Sequence, residues 1–279
     1  MSPRARSEHD GRCAGGRGPG VPEGRVALDD ARGRRWWRDH GALAIAHRGG
    51  ARYAPENTLA AFRLALADGV PAVECDVQQT EDGRVVVIHD QTVDRTTNGR
   101  GRVASFAFDA LRRLDAGGWF GAGFAGTPIP TLDEVLDLVR GRALLQIEIK
   151  NAPTFYEGIE RRVVDAVRRR GMEEDVLLMS FDHVSVRTMR ELAPRSPCGI
   201  IYAARLVDGV AAARAAGADA LCLHWAFATA DVIAAAHGAG LRVLVWTVDD
   251  EADAHACLAA GVDGLTSNDT RLLRRLLPA

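Results

Sequence analysis

The sequence predicts a (β/α)8 barrel with a small insertion after the second strand, and three observations carry that prediction. From residue 43 onward, short apolar runs of strand length alternate with patterns of helical period. Phrases such as Ala215-Ala216-Gly217-Ala218-Asp219 and Ala259-Ala260-Gly261-Val262-Asp263 repeat as helix end, glycine, then strand, as successive right-handed crossovers require. Roughly 240 residues in eight such units also match the ~250 typical of this barrel. A doubly wound open sheet is the competitor, but no Gly-x-Gly-x-x-Gly or P-loop supports it.

The first strand is the run Leu43 to Ala46, which stops at His47-Arg48-Gly49-Gly50. A loop with Pro55-Glu56-Asn57-Thr58 follows, then a helix with Leu59, Phe62 and Leu66 at helical spacing and Gly69 as its stop. The second strand, Ala72 to Val77, carries Glu74 and Asp76 on one face and Cys75 on the other, because a strand has a period of two. Thr80-Glu81-Asp82-Gly83 is a turn into Arg84 to Ile88, so this strand carries a hairpin that closes on His89-Asp90. From about residue 91 to 130 the pattern gives way to Gly, Arg and aromatic residues, an insertion long enough to point to function. Thr131 with Glu134 reads as a capping pair opening the helix Leu132 to Val139. Strands follow at Ala143 to Ile149, Val176 to Ser180, Cys198 to Tyr202, Ala220 to Leu223, Leu241 to Trp246 and Gly264 to Thr266. Helices are expected at Tyr156 to Arg170, Val184 to Leu192, Val207 to Ala215, Ala230 to His237 and Glu251 to Ala260.

Composition narrows the function classes. A 47% hydrophobic content supports a sizeable core, and a net charge of -2 gives no electrostatic case for nucleic acid. Residues 1–40 carry nine Arg against six acids, lack apolar periodicity and read as a disordered extension, leaving 41–279 as the barrel domain. No apolar run approaches the ~20 residues of a membrane helix. Stable membrane association is therefore not expected. Cys13, Cys75, Cys198, Cys222 and Cys257 are odd in number without a Cys-x-x-Cys spacing, as expected of reduced thiols in a cytoplasmic protein. Lys150 is the only lysine among 35 basic residues, which marks it as a place where a compact ammonium is needed.

Active sites of such barrels lie at the C-terminal ends of the strands. There the sequence puts His47 and Arg48 after the first strand, Glu74 and Asp76 on the second, and Glu148 and Lys150 at the end of the third, again two apart. Three carboxylates suit Mg²⁺ or Ca²⁺, Arg48 and Lys150 suit an anionic substrate, and His47 with His89 offers proton transfer. Together they point to phosphoryl chemistry on a small molecule. His183 and His224 also follow strands on that face, where either can simply cap a turn, while His237 and His255 fall in helices and read as structural. Trp246, ending the seventh strand, reads as a wall for the substrate. Trp119, Phe120 and Phe124 could form an apolar lip for an acyl chain, although local packing explains them more simply.

The string HRGGARYAPENTLAAF, followed by VECDVQQTEDGRVVVIHDQTVDRTTNG, then IPTLDEVL and IEIKN, resembles the glycerophosphodiester phosphodiesterase family from about residue 43 to residue 270. The resemblance implies a (β/α)8 barrel with a small insertion. It implies that His47 and His89 are general acid and base, that Glu74, Asp76 and Glu148 hold a divalent metal, and that Arg48 and Lys150 hold the phosphate. The implied reaction is hydrolysis of a glycerophosphodiester, such as glycerophosphocholine or glycerophosphoethanolamine, to sn-glycerol 3-phosphate and an alcohol. The alternatives are a lysophospholipase D of the same fold and a catalytically silent phosphodiester-binding barrel.

Overall fold

The computed structural model describes residues 35–37 and 41–277. The disorder expected for residues 1–40 therefore falls outside the described residues except at Arg35–Trp37, and Cys13 lies outside them too. Nine strands are described: β1 Leu43–Ala46, β2 Ala72–Gln79, β3 Val85–Val87, β4 Leu144–Ile149, β5 Val176–Ser180, β6 Cys198–Tyr202, β7 Ala220–His224, β8 Arg242–Trp246 and β9 Gly264–Ser267. All but β3 run parallel, and β1 pairs with both β9 and β2, so eight strands close a barrel. β3 turns back antiparallel on β2, Val77 opposite Val87, which is the expected hairpin.

The helices that cover the barrel are α1 Leu59–Ala67, α3 Leu132–Val139, α4 Ile159–Arg169, α5 His183–Leu192, α6 Gly209–Ala216, α7 Ala230–Gly238, α8 Glu251–Ala260 and α9 Thr270–Leu276. α9 goes beyond the helices read from the sequence. Their ends follow local chemistry. Thr131 accepts from the Glu134 amide while Glu134 reaches back to the Thr131 amide, a full capping box. Gly217 and Gly261 close α6 and α8 in the left-handed conformation, at φ 67° and 92°, where a glycine carries no Cβ penalty.

Alternation along each strand sorts the core into two layers. Val73, Cys75, Leu145 and Ile147 face the helices, while Ile45, Ala72, Leu144, Leu177, Ile201, Cys222 and Leu244 fill the barrel. The segment between β3 and α3 holds one short α-helix, α2 (Phe108–Leu111), and two 3-10 turns, Val103–Ser105 and Ala122–Phe124, and packs around its own small core of Val93, Val103, Leu111 and Ile129.

Two residues of the N-terminal forty pack at the other end of the barrel. The sequence of residues 1–40 offers no periodic apolar face, yet Trp36 is only 4% exposed and packs with Ile45, Ala72 and Leu144. Its neighbours hold it there: Arg35 pairs with Asp175, and the Arg242 guanidinium lies 5.9 Å from the Trp37 ring. Two adjacent tryptophans have no period to detect, so pattern reading passes over them.

Candidate active site

Strand β1 delivers its polar residues through a tight turn. Gly49 has φ 81°, and a Cβ there would lie 2.8 Å from the Phe62 amide nitrogen, so the backbone can approach α1 only as glycine. Arg48 itself takes a left-handed φ of 51°, uncommon for a non-glycine residue and characteristic of sites that need an unusual aim. The result is an Arg48 amide that donates to Glu74 Oε2 at 2.9 Å.

Glu74 and Asp76 point into the barrel from β2, and the register sets Asp76 beside Glu148 of β4. One oxygen from each of Glu74, Asp76 and Glu148 falls within 4.8 Å of the others. All three residues are buried, at 2%, 1% and 8% exposure. Around them lie two cations: Lys150 Nζ is 3.0 Å from Asp76 Oδ1 and 2.5 Å from Glu148 Oε1, and Arg48 Nε is 3.2 Å from Asp76 Oδ2. Three buried carboxylates thus face two cations, and the charges are shared unevenly. Burial alone would raise Asp76, but Lys150 and then Arg48 outweigh it and hold that carboxyl well below the usual range. Glu74 goes the other way, pushed well up by burial and by the charges of Asp76 and Glu148, and burial raises Glu148 too. Among the described residues, Glu74 Oε1 is buried with no hydrogen-bond partner. A cluster with surplus negative charge and an orphaned carboxylate oxygen fits a hard divalent cation.

The two histidines are each held from behind. His47 Nδ1 lies 2.8 Å from Asn268 Oδ1, and the Asn268 amide nitrogen in turn donates to Asp249 Oδ2 at 2.7 Å. Because that donation assigns the amide oxygen to His47, Nδ1 must carry the proton, and Nε2, 4.0 Å from Glu74 Oε2, keeps its lone pair. Burial, followed by the Arg48 charge, lowers His47 to about 4. His89 Nδ1 lies 2.7 Å from Asp90 Oδ1, a carboxylate rather than an amide. Burial lowers His89 as well, opposed by Asp76 and by the Asp90 hydrogen bond.

The site residues named from the sequence come together here. His47, Arg48, Glu74, His89, Glu148, Lys150 and Trp246 line one cavity of about 250 Å³, with Asp76 packed beneath Lys150 and Arg48. Trp246 forms part of its wall, fixed by donation from Nε1 to Cys222 O at 3.1 Å. The other histidine candidates do not line the cavity, although the His224 ring packs edge-on against Trp246 at 5.5 Å. His183 opens α5 with Nε2 3.1 Å from Ile201 O, His224 accepts from the Ala226 amide at 3.3 Å, and His237 pairs with Asp263 at 2.7 Å. Trp119, Phe120 and Phe124 pack edge to face on one another, with ring centroids 5.6 and 5.5 Å apart.

Sequence reasoning passed over a second set. Arg95 forks onto Asp90 through Nε at 2.7 Å and onto Glu56 through NH1 at 2.8 Å, and Glu56 also accepts from Arg48 at 2.8 Å. An unbroken chain of charged contacts therefore runs from His89 through Asp90, Arg95 and Glu56 to Arg48. Asn57 donates to Asp76 Oδ2 at 2.7 Å, and buried Gln78, braced by Tyr156, reaches the His89 carbonyl at 2.9 Å. Glu56 and Asn57 sit in the loop after β1, and Asn268 directly follows β9, so position at a strand end was the available signal for these.

A family profile described as "Glycerophosphoryl diester phosphodiesterase family" matches residues 47–272. A protein named Glycerophosphodiester phosphodiesterase from Caldanaerobacter subterraneus subsp. tengcongensis is 40% identical over 84% of this chain and 97% of its own length. Among solved structures, a glycerophosphodiester phosphodiesterase from Agrobacterium tumefaciens is similar with a TM-score of 0.74 and 33% identity, covering 84% of this chain and 99% of its own. A phosphodiesterase from Oleispira antarctica, solved with the product sn-glycerol-3-phosphate, gives 0.77 and 28% identity over 86% of this chain and 98% of its own. With the profile spanning most of its length and a relative this similar from end to end, the chain belongs to the glycerophosphoryl diester phosphodiesterase family.

Proposed function

We propose that this chain is a cytoplasmic, metal-dependent phosphodiesterase that hydrolyses glycerophosphodiesters, such as glycerophosphocholine or glycerophosphoethanolamine, to sn-glycerol 3-phosphate and an alcohol. The observation that carries the proposal is the pairing of three crowded carboxylates with two histidines, each engaged at Nδ1 from behind and lining the same cavity. A silent binding barrel has no use for two positioned proton carriers. The product bound by the Oleispira antarctica relative matches the half of the substrate that the reaction releases as phosphate monoester.

Glu74, Asp76 and Glu148 would hold the cation, Mg²⁺ or Ca²⁺ by its oxygen ligands. When bound, that ion neutralises phosphate charge and makes a coordinated hydroxyl more acidic. Arg48 and Lys150 bind the phosphate, and Trp246 walls the cavity. His47, uncharged at neutral pH and with its Nε2 lone pair on the carboxylate side, takes the proton from the attacking hydroxyl. His89, with the Asp90 carboxylate at Nδ1 partly offsetting the burial that lowers it, gives a proton to the departing alkoxide as the P–O bond breaks. The proton balance closes when water supplies the hydroxyl that ends on phosphorus.

The test is product analysis with glycerophosphocholine and lysophosphatidylcholine, before and after chelation. We expect sn-glycerol 3-phosphate and choline from the first, poor turnover of the second, loss of both activities in chelator and recovery with Mg²⁺ or Ca²⁺. Preferred cleavage of lysophosphatidylcholine would replace this reading with the lysophospholipase D one. Full activity after metal removal is verified analytically would remove the cation from the mechanism.

A further inference from the structure

The reaction cavity has a neighbour whose purpose the chemistry above does not use. A groove of about 350 Å³ runs from the mouth across the loops after β3, β4 and β5. It shares four residues with the reaction cavity, namely His89, Glu148, Lys150 and Phe181, so the two spaces are separated by side chains that both contact. The reaction cavity itself runs into the barrel, where Ile201, Cys222 and Leu244 close it with the packed interior. A diester has two ends, and only one can occupy a closed cavity. The other must leave on the open side, and His89 stands at that junction.

The groove's chemistry is selective. Its carboxylates are Asp90, Glu148 and Asp182, and among the described residues that line it Lys150 is the one permanent cation, with the proton carrier His89 at the junction. Lys150 is already committed to Asp76 and Glu148, and Asp90 to Arg95. Asp182 is different: it caps α5, accepting from the Val184 amide at 3.1 Å and the Ser185 hydroxyl at 3.1 Å, and has no cationic partner among the described residues. Next to it Phe181 is 45% exposed, with its ring edge-on to Trp246 at 5.6 Å and the Lys150 ammonium 5.9 Å from its centroid. An exposed aromatic ring next to an unneutralised carboxylate attracts a cation and repels an anion.

We propose that this groove is the leaving-group subsite and that it selects alcohols bearing a positively charged nitrogen, quaternary or primary, through Phe181 and Asp182. The inference rests on the phosphodiesterase reading and adds to it the two residues that choose the leaving alcohol. Neither residue touches the cluster of carboxylates, so they set specificity without taking part in the bond-breaking step.

Steady-state kinetics on two diesters tests it, glycerophosphocholine with a cationic alcohol and glycerophosphoglycerol with a neutral one, using wild type, Phe181→Leu and Asp182→Asn. Asparagine caps a helix as well as aspartate does, so the second variant keeps its fold. We expect KM for glycerophosphocholine to rise about fivefold in each variant, in the range of a partly exposed cation contact, with kcat little changed and the neutral diester unaffected. Equal shifts for both diesters, or none, would overturn the groove assignment while leaving the phosphodiesterase reading intact. Failure of the wild type to release sn-glycerol 3-phosphate from either diester would overturn the parent reading and the groove with it.

Discussion

The same eight strands end in opposite environments. At their C-terminal ends Glu74, Asp76 and Glu148 crowd within 4.8 Å, and burial and mutual repulsion push two of them up. At their N-terminal ends Trp36 closes the barrel over Ile45, Ala72 and Leu144. The transition happens along single strands: the inward positions of β2 climb from Ala72 to Glu74 to Asp76, and those of β4 from Leu144 through Gln146 to Glu148. Apolar burial at one end stabilises the fold, while the other end holds charges in an arrangement that opposes folding. The two ends should therefore respond oppositely to mutation.

The largest effects belong to the charged end. Replacing His47 or His89 with alanine should lower turnover by about 10²- to 10⁴-fold, the range for general acid-base groups. Glu74→Gln should reduce activity at least ~100-fold, the upper end of the loss when only an outer partner of a metal ligand is removed. Glutamine can still accept from the Arg48 amide, and it deletes one of three crowded charges, so the melting temperature should hold or rise. A Glu74→Gln protein that melts earlier and retains turnover would break the contrast from the catalytic side.

The apolar end predicts the reverse. Trp36→Ala should destabilise the protein by about 3 kcal/mol, as for other buried tryptophans cut to alanine, with kcat unchanged in the folded fraction. Removing residues 1–34 should alter neither quantity, whereas extending the deletion through Trp37 should reproduce the Trp36→Ala loss. Denaturant titration of the three proteins decides it, and a stable, active Trp36→Ala variant would show that the barrel floor holds without its plug.

These two ends were not equally legible in the sequence. Strand period and the rule that barrel sites lie at strand C-termini place His47, Glu74, Asp76, Glu148 and Lys150 together, because each is fixed by its own strand. The hairpin turn does the same for His89. Asn268 supports His47 across 221 positions, and Arg95 reaches Glu56 across 39, through side-chain hydrogen bonds that leave no local pattern. Trp36 escapes for a related reason: one plug residue has no periodicity, and its burial exists only once the barrel has closed beneath it.

Arg95 sharpens the comparison, since it lies on the surface and yet spans the charged end. Its side chain is 45% exposed, so the two ion pairs contribute little to stability and Arg95→Ala should melt close to wild type. Its fork nevertheless fixes Asp90 behind His89 and Glu56 beside Arg48. We expect kcat to fall about 10-fold, in keeping with loss of an orienting partner, and Arg95→Lys not to restore it, because an ammonium cannot make both two-pronged contacts. A lysine variant with wild-type kcat would reduce Arg95 to a surface charge.

The smallest expected effect is a pH dependence of that same contact. The Arg95 hydrogen bond, aided by the one from His89, lowers the Asp90 carboxyl to about 2. An unfolded aspartate titrates at about 3.9. Since the folded value is the lower one, the stabilisation from this contact is complete above about 4 and disappears as pH falls towards about 2. Asp90→Asn removes the titrating group, so its stability deficit relative to wild type should be constant from pH 8 to pH 5 and shrink between pH 4 and pH 3. Asp90 is partly exposed and its partner Arg95 more so, which keeps the deficit small and calls for denaturant midpoints measured side by side. A deficit that is unchanged at pH 3, or that varies only above pH 5, would mean that the carboxylate is not held by Arg95 in solution.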